Sequence, residues 1–97
     1  LFPETQIMSL PEKTRRELRR RGHTLKPVVS IGTAGLSTAV LRELELSLEH
    51  HELMKIRIGG AEREQRRQLI AAICDQLEAE LIQAVGHIAL IYRERSE

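Results

Sequence analysis

The apolar residues of this chain follow two rhythms, one of period two and one of helical period, and the changes between them mark the elements. Pro27-Val28-Val29-Ser30-Ile31 is a short β-branched run and reads as a buried strand. From Leu53 to Ile58 the chain alternates, with Met54, Ile56 and Ile58 pointing one way and Lys55 and Arg57 the other. Leu81–Val85 and Ile88–Tyr92 form two more strands, joined by a tight hairpin at Gly86-His87.

Helical spacing fills the intervals. Ser9-Leu10-Pro11-Glu12 reads as a helix start, with Ser9 as N-cap, Pro11 in the first turn and Glu12 three residues after the cap. That helix runs to about Arg21, and Gly22 is its stop. Its apolar face is thin, with little beyond Leu10 and Leu18. A second helix, capped by Ser37 or Thr38, reaches about His51 and places Leu41, Leu44 and Leu48 on one face. Leu44, Leu46 and Leu48 also alternate as a strand would, but the length and the Glu-rich, β-branch-poor composition favour helix. A third helix covers about Glu62 to Glu78, with Leu69, Ile70, Ile73, Cys74 and Leu77 as its apolar stripe. The order α-β-α-β-α-β-β predicts an α/β domain: parallel crossovers, a final antiparallel pair, and a four-stranded mixed sheet packed with helices. Residues 1–8 read as a loose tail, with Met8 as the natural start, and residues 9–97 as one domain.

Composition narrows the function classes. Ninety-seven residues suit one core, and 41% hydrophobic with 30% charged residues is ordinary for a globular protein. No apolar run approaches the roughly 20 residues of a membrane helix. No secretory pattern opens the chain, and the single cysteine, Cys74, fits a reducing cytoplasm. The net charge of +1 hides a separation. Glu12 to Lys26 holds seven basic and two acidic residues, a net of +5, against eight basic and twelve acidic elsewhere, a net of −4. Such a segment creates a local positive field suited to a polyanion.

Gly32-Thr33-Ala34-Gly35 lies between a strand and a helix. Glycines there tolerate positive φ and let another backbone come close, and the helix N-terminus that follows favours phosphate. A nucleotide P-loop is excluded, because Gly35-Leu36-Ser37 carries no lysine, and a dinucleotide fingerprint lacks its third glycine. His50-His51-Glu52 is a poor metal site, since adjacent histidines on a helix diverge. No nucleophile–base grouping appears, so neither an enzyme nor a cofactor is expected. Phe2 and Tyr92 are the only rings besides the histidines, which excludes a reader that stacks successive bases on exposed aromatics. If the chain binds RNA, it must rely on backbone contact and shape.

Three stretches resemble a known family: His23-Thr24-Leu25-Lys26-Pro27-Val28-Val29, Ile31-Gly32-Thr33-Ala34-Gly35-Leu36 and Glu49-His50-His51-Glu52-Leu53-Met54-Lys55-Ile56. With the ending Gly86-His87-Ile88-Ala89-Leu90-Ile91-Tyr92-Arg93, they are similar to the CRM (chloroplast RNA-splicing and ribosome-maturation) domain in its stand-alone bacterial YhbY form. The resemblance implies a fold similar to the C-terminal domain of translation initiation factor 3. It also implies structured RNA as ligand, in particular precursors of the large ribosomal subunit. The family often carries lysine or a polar pair between the loop glycines and lysine at the position of His87, so the resemblance implies fewer charged loop contacts here. Gly32, Thr33, Ala34 and Gly35 are then expected at the sugar-phosphate backbone, and Arg16, Arg19, Arg20 and Lys26 at phosphates. Lys55 and Arg57 form a second candidate patch that a solvated strand face explains equally well. The rival reading is a protein-interaction module on the ribosome that uses the acidic second helix through Glu43, Glu45 and Glu49.

Overall fold

In a computed structural model, residues 10–32, 35–60 and 62–94 are described. The elements run α1 (Glu12–Gly22), β1 (Pro27–Ile31), α2 (Thr38–His51), β2 (Leu53–Ile58), α3 (Arg63–Leu77), β3 (Glu80–Val85) and β4 (Ile88–Tyr92). This is the expected α/β order. The strands lie in one sheet in the order β1-β2-β4-β3. β1 and β2 are parallel, and β4 is antiparallel to both its neighbours. The second crossover thus skips one position, and the hairpin partner β4 fills it. Gly86 has φ +59°, which the two-residue turn requires at its first central position.

The two faces of the sheet are covered unequally. On one face α2 and α3 bury Leu44, Leu48, Ile70, Ile73 and Leu77 against Val29, Ile31, Met54, Ile56, Ile58, Ala89 and Ile91. This is the main core, and the period-two and helical stripes of the sequence meet in it. On the other face α1 alone buries Leu18 against Leu53, Ile82 and Leu90, with Leu10 and Tyr92 at the margin. α1 covers the end of the sheet where β2 and β3 begin. The opposite end of that face is open, with Val85 64% and Val28 43% exposed.

Four expectations change. Ser9 lies outside the described residues, and α1 begins at Glu12, with Pro11 in the N-cap position and no side-chain cap. A proline ring disfavours helical geometry in the residue before it, so Leu10 cannot join the helix. Gly22 ends α1 for a different reason from the one expected. Its C-cap, His23, is right-handed, and a Cβ on Gly22 would stand 2.5 and 2.7 Å from the Leu90 methyl carbons. The glycine is there so that α1 can approach β4. β1 is an edge strand with only Val29 and Ile31 buried, not a strand buried on both faces. Finally, α1 does not lack countercharge. Arg19 pairs with Glu12 at 2.9 Å, Arg20 with Glu17, and Arg15 crosses to Glu80 at 2.9 Å and to the Leu81 carbonyl.

Candidate nucleic-acid interface

Three turns gather at the end of the sheet away from α1. Gly59 donates to the Ile31 carbonyl, and Ile58 donates to the His87 carbonyl. The His87 Nδ1 lies 2.7 Å from the Ile58 carbonyl, which accepts its hydrogen. The glycine loop leaves β1 at this end. It is closed by a 3.1 Å hydrogen bond from the Gly35 amide to the Gly32 carbonyl. Gly35 has φ +79°, a left-handed conformation that strains any residue with a Cβ. A Cβ would meet nothing within 4 Å at either glycine, and Gly32 differs in lying outside the left-handed region. The turn therefore requires glycine at Gly35 by its backbone conformation, and not at Gly32. Thr33 and Ala34 lie outside the described residues.

The helix after the loop is capped by Ser37, whose hydroxyl accepts from the Val40 amide at 3.2 Å. Ser37, not Thr38, is the cap, because its extended φ and ψ turn the side chain back over the first turn. A cleft of about 380 Å³ lies beside the loop, between Gly32, Gly35 and Gly60 on one side and Gln65, Gln68 and Leu69 of α3 on the other.

Lys55 and Arg57 sit on β2 and point to the face that α1 only half covers. Arg57 is in register with Ser30 on β1 and with Ile88 on β4. Ser30 is two residues before Gly32, so Arg57 stands at the loop end of the open face. Lys55 stands one pair nearer α1 and donates to the His23 carbonyl at 3.4 Å, at the exit of that helix. The two cations thus link the loop to α1, a role that strand alternation alone did not reveal.

The structure does not bring the α1 arginines to the loop itself. β1 separates them, and five strand residues span about 16 Å. Arg16 makes no ion pair among the described residues, nor does Lys26. Arg19 and Arg20 are held in exposed pairs that a stronger anion can replace, since such pairs contribute at most about 1 kcal/mol. The hydrogen bond from Arg19, together with its charge, holds the Glu12 carboxyl below its usual range. Arg15 is withdrawn from the candidate surface by its part-buried contacts to Glu80 and Leu81.

Sequence reasoning passed over one cationic group. Arg63, Arg66 and Arg67 occupy the first two turns of α3, near the Gly86 turn. Their i, i+3, i+4 spacing was legible, but Glu62 and Glu64 offset them in any sum of charge. The acidic helix α2 is also less free than its composition implies. Arg93 donates to both carboxylate oxygens of Glu45, at 2.9 and 3.0 Å, and to the Leu77 carbonyl. Among the described residues no group of three or more His, Cys, Asp or Glu side chains is arranged to hold a metal ion. No helix among them is long and apolar enough to cross a membrane.

Known proteins resemble this chain in sequence and in fold. The chain is 40% identical over 87 residues to a probable RNA-binding protein of Pseudomonas aeruginosa, covering 90% of this chain and 84% of that one. It is 40% identical over 91 residues to an RNA-binding protein of Haemophilus influenzae, covering 94% and 92%. A solution structure from Staphylococcus aureus, of a hypothetical protein described as a candidate RNA-binding protein, superposes with a TM-score of 0.79 at 28% identity, over 92% of this chain and 93% of that one. Residues 10–93 match the CRS1/YhbY (CRM) domain, and the chain belongs to that family.

Proposed function

We propose that this protein binds structured RNA, with the Gly32–Gly35 loop against the sugar-phosphate backbone and Arg16, Arg19, Arg20, Lys26, Lys55 and Arg57 neutralising phosphates. The observation that carries the reading is the continuity of one surface: an open glycine loop, then Arg57 and Lys55 on the uncovered sheet face, then the exit of α1. Membership of a family whose relatives are named as RNA-binding proteins supports the ligand class. The physiological ligand we propose is RNA of the large ribosomal subunit during assembly, with the protein acting without catalysis in the cytoplasm. The rival protein-interaction reading is weakened by the bidentate hold of Arg93 on Glu45, which takes one carboxylate from the acidic helix.

The clean test is Gly32→Asp. The position is open and lies outside the left-handed region, so the fold should tolerate the side chain. The added carboxylate stands where phosphate must approach, and affinity for protein-free ribosomal RNA should fall on the order of tenfold. Gly35→Asp should lose affinity and stability together, because a residue with a Cβ is strained at φ +79°. Binding by folded Gly32→Asp equal to that of the parent would reduce the loop to a plain turn. Crosslinking in cells, with sequencing of the attached RNA, tests the ribosomal assignment.

A further inference from the structure

The loop-and-helix surface leaves one feature unused. A groove of about 790 Å³ runs between α3 and the edge strand β3. Ile70 and Cys74 of α3 and Leu81 and Ala84 of β3 make its floor apolar. Arg63, Arg66 and Arg67 line it towards the Gly86 turn. The same first turns of α3 form, through Gln65 and Gln68, one wall of the cleft that contains Gly32 and Gly35. The loop cleft and the groove therefore lie on two sides of one helix end. With its side chains a helix is about 10 Å across, so a strand held at the loop can reach over it.

We infer that this groove receives one unpaired nucleotide of the bound RNA, its base against the apolar floor and its phosphates met by Arg63, Arg66 and Arg67. The inference rests on the RNA-binding reading and adds to it a preference for an interrupted helix. The size fits, since pockets for small ligands run from about 300 to 1,000 Å³. At the floor, burial pushes the Cys74 thiol up to about 11, with Glu80 adding to the shift. Among the described residues no aromatic ring lines the groove, so the base would be held by apolar contact and by a flat guanidinium, which stacks on bases. Arg67 meets Glu64 at 3.2 Å, but both are largely exposed, and phosphate can replace that partner. An acidic protein segment is the competing occupant, added as a strand to β3. The bulge between Leu81 and Gln83 breaks the regularity of that edge and disfavours strand addition.

The test compares a fully paired RNA hairpin with the same hairpin carrying a single-nucleotide bulge. The bulged RNA should bind about tenfold more tightly. Ala71→Leu and Ala84→Ile fill the groove at exposed positions, and their folding is checked by thermal unfolding. Each should abolish the preference and leave binding of the paired hairpin unchanged. Cys74, the single cysteine, supplies a second readout: its alkylation at alkaline pH should slow with the bulged RNA bound and not with the paired one. Equal affinity of the parent for both RNAs, or a preference that survives the filled groove, would overturn the inference and leave the loop-and-helix reading standing. Protection of Cys74 by polyglutamate and not by bulged RNA would reassign the groove to an acidic protein partner, which also overturns it. Failure of the parent to bind either RNA would remove the RNA-binding reading and this inference together.

Discussion

The two faces of the sheet are made from the same strands and have opposite roles. The face under α2 and α3 is closed: Leu44, Met54, Ile56, Ile58, Ile73, Ala89 and Ile91 are all fully buried. The face under α1 is only half closed, and its smaller cluster of Leu18, Leu53, Ile82 and Leu90 gives way to Lys55, Arg57, Val28 and Val85 in solvent. Alternation along β2 supplies both surfaces at once, since Ile56 and Arg57 are neighbours in sequence and face opposite ways. The difference teaches that stability is concentrated on one side, which leaves the other free to carry charge.

That division predicts a graded set of outcomes. The largest effect belongs to the closed face. Ile56→Ala, at a fully buried position on a central strand, should cost about 2–5 kcal/mol by chemical denaturation. The molecules that remain folded should keep the RNA affinity of the parent. A cost below that of a surface substitution would mean that the main core is not where stability lies.

The next effect sits where the half-closed face is tightest. Gly22→Ala should destabilise by about 1–3 kcal/mol, because Leu90 is itself buried and its methyls cannot simply move aside. This sharpens the comparison, since an alanine in a helix would otherwise stabilise. Unchanged or increased stability would show that α1 is free to shift away from β4.

A third outcome separates binding from folding. Replacing Arg16, Arg19 and Arg20 by Ala should flatten the salt dependence of RNA binding by about 2–3 units of slope, while the denaturation midpoint moves little. The partners lost by Arg19 and Arg20 are exposed and weak. An unchanged slope would mean that α1 only packs.

The smallest effect concerns pH on the closed side. The hydrogen bond from Arg93 lowers the Glu45 carboxyl below its ordinary value, more than desolvation raises it. A carboxylate depressed in the folded state contributes stability above its unfolded pKa and loses it as pH falls through the folded value. Glu45→Gln should therefore be less stable than the parent at neutral pH, by under about 1 kcal/mol for a part-buried pair that solvent still reaches, and the two should converge in acid. A gap that persists in acid would point to packing of the Arg93 stem and not to charge.

Sequence periodicity, with composition for α2 and start and stop signals for α1, determined the seven elements, their order and the direction of every strand. These follow from local rules: side chains alternate every two residues in a strand and recur every three to four in a helix, and glycines mark the turns. The positions of Gly32 and Gly35 and the cationic run of α1 were legible for the same reason. The place of β4 between β2 and β3 was not, because local pattern sets a strand's direction but not its neighbour. Nor could the sequence separate Arg15, spent on Glu80 some 65 residues away, from Arg16, which is left to solvent. The link that Lys55 and Arg57 make between loop and helix, and the groove beneath Arg63, Arg66 and Arg67, likewise exist only in the folded chain. Each depends on which surfaces pack together, and packing is a property of residues distant in sequence that only the tertiary structure brings into contact.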